Sequence, residues 1–191
     1  YLSILKISPD NQTAKKELST LDQNYLKSHA KARLDHVMKL YSSGSIQEAL
    51  NEVNLLIDEN PNEPSLFNIS GACYNQIGPI ESAIHAFQKA ISIKPDYAEA
   101  HYNLGVVFQR MSKNDDAFKC YEKSIAINHA YPQAHNNIGM IQLNQRQLNE
   151  AVKSFEWAVA YSPEYFEAHN NLGAAFQELM NYEKAKAQYE K

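Results

Sequence analysis

The sequence predicts an all-α fold built as a row of stacked antiparallel helix pairs, and three observations carry that prediction. Gly71, Gly105, Gly139 and Gly173 stand 34 residues apart, and Ala49, Ala83, Ala117, Ala151 and Ala185 keep the same step. Around each glycine and each alanine the apolar residues recur at helical spacing, with a short polar stretch between the two runs. Pro61, Pro95 and Pro163 then fall at one common place in the period. A fixed period of this length means that each unit is one supersecondary element burying its apolar face against its neighbours. The expected shape is an elongated solenoid bearing a groove, not a globule around one pocket.

The units follow in order along the chain. Residues 1–9, YLSILKISP, align with FQKAISIKP at 87–95 and so read as the end of a preceding repeat. Residues 10–29 do not complete a unit; AKKELSTL at 14–21 and the stretch near Tyr25 and Leu26 are read as helical, so 1–29 is the end of a repeat plus an irregular helical connector. The array proper runs 30–191, in blocks 30–63, 64–97, 98–131, 132–165 and a truncated 166–191. The third block shows the grammar. HYNLGVVFQ at 101–109 is a first amphipathic helix, SKND at 112–115 breaks it, and AFKCYEKSIAI at 117–127 is the second helix. The chain stops inside such a second helix and therefore reads as a fragment of a larger protein.

Each position in the period has its own job. Position eight holds Val37 and then the four glycines, and position twenty holds the five alanines, so two helices can approach closely where they cross. Larger residues fill the spaces between: Phe67, His101, His135 and His169 at position four, and Val53, Phe87, Tyr121, Phe155 and Tyr189 at position twenty-four. The prolines at position thirty-two cannot continue a helix and should end the second one. The third unit has His129 there, and Pro132 is expected to take over the role.

Composition sets the excluded classes. With 18 basic against 22 acidic residues and no basic stripe, nothing points to nucleic acid. No apolar run approaches the roughly 20 residues of a membrane span. Cys73 and Cys120 lie in different repeats, which favours free thiols, and hence a reducing, cytoplasmic setting, over a disulfide framework.

The period and its residues resemble the tetratricopeptide repeat, a 34-residue helix-turn-helix with Leu-Gly, Ala, an aromatic and Pro at set offsets. NLG at 103–105, NIG at 137–139 and NLG at 171–173 carry the likeness, which covers residues 30–191; the first unit departs most, with Arg33, His36 and Val37 at motif positions. The resemblance implies a right-handed superhelix whose first helices line a concave surface. Residues of those helices off the packing face are then the candidate contacts. Position six supplies Asn103, Asn137 and Asn171, and position five supplies Asn68, Tyr102, Asn136 and Asn170 as its polar or adjoining neighbours. An amide offers both a donor and an acceptor, as an extended peptide backbone requires. Layers about 8–10 Å apart would space successive asparagines by some three extended residues.

This arrangement is similar to the asparagine ladder in the repeats of O-linked N-acetylglucosamine transferases, and it breaks at Asp35 and Ile69. Gln109, Arg110, Asn144 and Gln177, with Glu99, Gln133, Glu167 and Glu178, should make the groove polar and mixed in charge, while Met140 and Leu143 offer apolar footholds. The Lys and Arg pair by which chaperone-binding relatives clamp a C-terminal carboxylate is not matched, since Asn136 and Asn137 occupy those places.

Catalytic chemistry is not expected. His101, His135 and His169 belong to different layers, too far apart for one zinc, whose ligand nitrogens stand at about 2.0–2.1 Å. Their position is a packing one. Cys73 and Cys120 have no activating partner in view, and the glycines stand singly inside helices, not in a phosphate-cradling loop. Asn11-Gln12-Thr13 and Asn68-Ile69-Ser70 match a glycosylation tripeptide that recurs by chance, and the second falls in a helix. The expectation is thus a protein-interaction scaffold with no catalytic residues, cofactor or metal, binding a protein or peptide segment in its groove, with no nucleic acid or membrane partner. Self-association through open solenoid ends is a further expectation. The alternative is the substrate-recruiting arm of a multidomain enzyme such as a glycosyltransferase or sulfotransferase.

Overall fold

The computed structural model describes residues 12–191, and among them the backbone forms ten α-helices and no strand. The reading of residues 1–9 as the end of a repeat concerns residues outside the described ones, as does Asn11 of the first glycosylation tripeptide. In chain order the helices are α1 (Gln12–Ser42), α2 (Ile46–Glu59), α3 (Pro64–Ile77), α4 (Ile80–Ile93) and α5 (Ala98–Arg110). They continue as α6 (Asn114–Ile127), α7 (Pro132–Asn144), α8 (Leu148–Tyr161), α9 (Phe166–Glu178) and α10 (Tyr182–Tyr189). One continuous helix, α1, therefore leads into the first repeat.

The chain divides into two compact units, one ending at Leu55 and the other running Leu56–Lys191. In the first, Val37, Ile46, Ala49, Leu50 and Val53 are buried, and Arg33 Nε donates to Glu52 Oε1 at 3.0 Å. The second is a series of hairpins, α3/α4, α5/α6, α7/α8 and α9/α10, each packed internally and onto the next.

Helix ends follow local chemistry. Pro64 and Pro132 occupy the first turn of α3 and α7, where a missing backbone N–H costs no helical bond. At the other end, position fifteen is left-handed in every unit: Gly44 (φ 84), Gly78 (φ 137), Ser112 (φ 60), Arg146 (φ 62) and Met180 (φ 60). In four of the five the next residue's N–H reaches back over the last turn, from Ser45 to Leu40 O, Lys113 to Phe108 O, Gln147 to Gln142 O and Asn181 to Phe176 O, at 2.8–3.0 Å. This is the Schellman closure. The exception is the second unit, where Pro79 has no N–H to give and Gly78 N bonds Tyr74 O instead.

The glycine and alanine ladders turn out to serve different partners. Each position-eight glycine faces the position-twenty-four ring of its own hairpin: a Cβ at Gly71, Gly105, Gly139 or Gly173 would lie 2.5–2.7 Å from the nearest ring carbon of Phe87, Tyr121, Phe155 or Tyr189. The glycine makes room for a ring, not for the alanine. Ala83, Ala117 and Ala151 are fully buried beside these rings, and Val37 with Val53 replaces the glycine and ring in the first unit, both fully buried.

The position-four histidines join successive units. His101 Nε2 lies 3.0 Å from Pro95 O, His135 Nε2 2.9 Å from His129 O, and His169 Nε2 3.0 Å from Pro163 O. A carbonyl can only accept, so each Nε2 carries the proton. Pro132 has a different role from the one expected of it. It does not replace the missing proline of position thirty-two: α6 already ends at Ile127, and Pro132 opens α7. The turn after α6 is held at His129 by its carbonyl, as the prolines' carbonyls hold theirs.

Gly139→Ala should destabilise the chain by about 1–3 kcal/mol in urea unfolding, because the Phe155 ring is fully buried and cannot retreat. Gly173→Ala should be close to neutral, since Tyr189 is 48% exposed and the gain of roughly 1 kcal/mol in helix propensity offsets its displacement. Equal losses in the two variants would refute this account of the glycines. Met180→Gly, at a side chain 76% exposed and left-handed, should stabilise by about 1 kcal/mol; an unchanged or lowered urea midpoint would count against a strained Met180.

Candidate functional site

The face of the first helices in the second unit carries most of the asparagines singled out above. They are not independent side chains. Asn103 Nδ2 donates to Asn68 Oδ1 at 3.0 Å, and Asn171 Nδ2 donates to Asn136 Oδ1 at 2.9 Å. Both bonds run from position six of one repeat to position five of the one before. Asn68 in turn donates to Glu99 Oε1 at 3.0 Å. In the middle layer position five is Tyr102, and the Asn137 amide sits beside the hydroxyls of Tyr102 and Tyr121, favouring their ionised forms against the effect of burial. The ladder is thus a set of inter-repeat contacts at residues i and i+35.

Exposure sorts the predicted residues. Asn68 and Asn136 are 3% and 0% exposed, so they support the row from behind and present little to a ligand. Asn103, Asn137, Asn171 and Tyr102 are half-buried, while Asn170, Asn144, Arg110 and Gln177 are exposed. Gln109 Oε1 accepts from Tyr121 Oη at 2.7 Å, and Gln177 Oε1 from Tyr189 Oη at 3.2 Å, so each glutamine at position twelve pairs with a tyrosine at twenty-four. Arg110 reaches back one repeat to the carbonyl and side-chain oxygen of Asn75. Met140 and Leu143 pack on the cluster formed by Ala151, Phe155, Leu172 and Phe176, so much of the apolar surface expected of them as footholds is spent on the core.

One row was missed in the sequence. Tyr97, Tyr131 and Tyr165 precede α5, α7 and α9 at the same 34-residue step as the glycines. That spacing was the available signal. Tyr131 packs on Tyr102 with ring centroids 4.9 Å apart, and Tyr102 on Tyr121 at 5.6 Å. Burial, reinforced by Glu99, pushes the Tyr97 phenol up to about 12, with the Asn68 amide opposing. Tyr165 also rises to about 12, chiefly through burial and then Glu167, with the Asn136 amide opposing. Tyr131 moves in the same direction for burial and Glu99. Phenols, amides and the exposed carboxylates of Glu99 and Glu167 therefore share this face. It can donate and accept hydrogen bonds along its length, and all its tyrosines are neutral at physiological pH.

Neither cysteine is set up as a nucleophile. Burial raises the Cys73 thiol to about 11, and burial with Asp116 does the same for Cys120, so both stay protonated and weakly nucleophilic. Among the described residues no three of His, Cys, Asp and Glu are grouped as a metal ion would need, and no helix is long and apolar enough to cross a membrane.

Stacked 34-residue helical hairpins with polar first-helix faces define a helical-repeat protein of the solenoid class. The chain belongs to the tetratricopeptide repeat family: one model described as "TPR repeat" matches residues 71–112 and 144–179, and two described as "Tetratricopeptide repeat" match 98–131 and 120–153. It is 30% identical over 89 residues to a probable UDP-N-acetylglucosamine–peptide N-acetylglucosaminyltransferase SEC of Arabidopsis thaliana; the match covers 45% of this chain and 9% of that protein's length. Among solved structures it resembles MamA from Desulfovibrio magneticus RS-1 (TM-score 0.70, 22% identity, 84% of this chain and 91% of that one). PilF of Pseudomonas aeruginosa is similar at a TM-score of 0.79 and 13% identity, over 86% and 75% of the two chains. YrrB, described as a TPR protein with an unusual peptide-binding site, gives 0.63 and 20%, over 90% and 87%. These likenesses show the fold.

The phenol shifts set an alkaline limit. A phenol pushed up from 10.0 to about 12, as at Tyr97 and Tyr165, favours the folded state while neutral, so that contribution is complete below pH 10 and is lost as pH rises through about 12. Thermal melts should hold steady up to about pH 9, fall first as the raised Cys73 and Cys120 thiols ionise between about 9 and 11, and fall further above pH 10 in step with phenolate absorbance. Phenols that all ionise near the ordinary value with helicity intact would contradict this.

Proposed function

We propose that the chain is a non-catalytic protein-interaction scaffold that holds an extended segment of a partner protein along the first-helix face of its second unit. The observation that carries this is the half-buried row of Asn103, Asn137 and Asn171, backed by Asn68, Tyr102 and Asn136, which in turn lie beside the Tyr97, Tyr131 and Tyr165 phenols. Asn103 and Asn171 each spend one amide N–H on the preceding repeat, leaving an oxygen and a second N–H. Fixed by that bond, the amide is pre-organised, which lowers the entropy cost of gripping a peptide backbone. Grip through backbone amides reads chain direction and extension more than side-chain identity. The exposed Asn170, Asn144, Gln177 and Arg110 are then the rim that adds selectivity.

A second reading is favoured by the likeness to the Arabidopsis glycosyltransferase: the repeats serve as the arm that recruits protein substrates to an enzyme. The binding chemistry is the same in both readings. The complete open reading frame separates them, since a catalytic domain encoded beyond this segment supports the arm.

Replacing Asn103, Asn137 and Asn171 together by alanine should weaken binding of peptides selected from a random library by tenfold or more, measured by fluorescence polarisation. Far-UV circular dichroism should change little, because each lost inter-repeat bond costs only about 0.5–1.5 kcal/mol. Unchanged affinity in the triple variant would remove the asparagine row from the binding site.

A further inference from the structure

A second site lies away from the asparagine row, between α6, α7 and α8. A cavity of about 310 Å³ is lined there by Phe118, Trp157, Glu122, Glu150, Lys153 and His135, among others. His135 is 3% exposed, and its Nε2 proton is committed to the His129 carbonyl at 2.9 Å. Burial also lowers its pKa, so the ring is neutral and Nδ1 keeps a lone pair. No hydrogen bond to that nitrogen is made among the described residues.

The next repeat shows what belongs opposite such a nitrogen. His169 repeats the geometry, with Nε2 3.0 Å from Pro163 O, and its Nδ1 lies 2.8 Å from Oε1 of the Gln188 amide, whose O and N ends can be exchanged by a half-turn. With Nε2–H already given to the carbonyl, the amide end that suits Nδ1 is its NH2. Gln188 stands at position twenty-three. In the fourth unit that position is Ser154, too short to reach and turned to Gln142 Oε1 at 2.7 Å. The cavity is the place that a planar amide fills one repeat later.

The remaining lining narrows the donor. Glu122 and Glu150 make no ion pair among the described residues, and two carboxylates outweigh the one ammonium of Lys153. Trp157, 49% exposed, stacks on Tyr161 at 5.7 Å and meets the His129 ring at 5.3 Å, so the exposed remainder of its indole is the aromatic surface it gives the cavity. The equivalent cavity one repeat earlier, about 390 Å³ beside His101, has Lys123 at the place of Trp157 and Gln88 at that of Glu122, with Lys119 nearby. It would repel a cation. We propose that the His135 cavity takes the guanidinium of an arginine side chain presented by a partner protein, its plane against Trp157 and its N–H groups toward His135 Nδ1 and the two carboxylates. Arginine suits the cavity because it is planar, always charged and donates only.

Trp157 is the only tryptophan of the chain and reports directly on this cavity. The 191-residue protein would be titrated with N-acetyl-arginine amide, and with the citrulline and lysine analogues, following tryptophan emission and the indole and histidine NMR signals. Arginine should give a saturable change, with citrulline and lysine at least fivefold weaker. Ser154→Gln, which places an amide where Gln188 stands, should abolish binding, and Ser154→Ala should preserve it. Glu122→Gln, an exposed change that leaves folding intact, should weaken binding at least threefold. Equal binding of citrulline or lysine, undiminished binding by Glu122→Gln or by folded Ser154→Gln, or shifts confined to the His101 cavity would overturn the proposal. None of these outcomes bears on the asparagine row.

Discussion

The repeats of the second unit depend on one steric fit, the aromatic ring of position twenty-four lying against the bare Cα of position eight. Three of the four rings, Phe87, Tyr121 and Phe155, are at most 1% exposed, so each hairpin is closed by a side chain that could not be seated if the facing residue had a Cβ. Burying an aromatic ring contributes on the order of 2–3 kcal/mol, against about 1 kcal/mol lost by having glycine within a helix. The net favours the glycine. Where the ring shrinks to Val53, the glycine is replaced by Val37 and the helix regains a better-behaved residue. The two positions thus vary as a pair, because what is held constant is the volume between them.

A hairpin closed in this way still has to be joined to the next, and polar contacts do that with high regularity. The histidine of position four bonds the carbonyl of the turn before it in three successive units, at 2.9–3.0 Å. The carbonyl, not the proline that often carries it, is the common element: His129 serves as well as Pro95 or Pro163. These bonds tie a backbone group that a helix end would otherwise leave to water. The asparagines act one row further across, from position six back to position five. Stacking and the proposed recognition therefore draw on the same amides, so a ligand contacting Asn103 or Asn171 touches groups that also hold two repeats together.

Much of this was legible in the sequence, for a physical reason. A period of 34 residues fixes which positions are equivalent, so helix pairs, their turns and the small-residue seam could be read from Gly71 to Gly173 and from Ala49 to Ala185 without knowing a single contact. What the period does not fix is which residue answers which. The glycines answer rings, not alanines. Asn68 and Asn136 are buried because they accept from asparagines 35 residues later, and a spacing of 35 is invisible in a search for identical residues at 34. Position fifteen is left-handed throughout, yet only Gly44 and Gly78 announce it; Ser112, Arg146 and Met180 take the same conformation because the Schellman bond to the preceding turn outweighs their strain. The row of Tyr97, Tyr131 and Tyr165 was in plain view at the right spacing, but tyrosine is so frequent in the packing of this chain, twelve residues in all, that the spacing was lost among them.

In such an array the repeated residues build the frame, and the departures from repetition distinguish one layer from the next. Position twenty-three is Cys120, Ser154 and Gln188 in three successive units, all placed beside an equivalent histidine. With glutamine the histidine is satisfied from within; with serine or cysteine the space beside it stays open, and the residues of positions nineteen, twenty-two, twenty-five and twenty-six around it decide its charge. The Cβ of position twenty-three borders the fit of glycine and ring, as Cys120 does beside Gly105, but cysteine, serine and glutamine all carry that Cβ, so exchanging them leaves the fit as it is. A repeat protein can therefore alter what one layer binds without altering how the layers stack, provided the change falls outside the positions that close the hairpin.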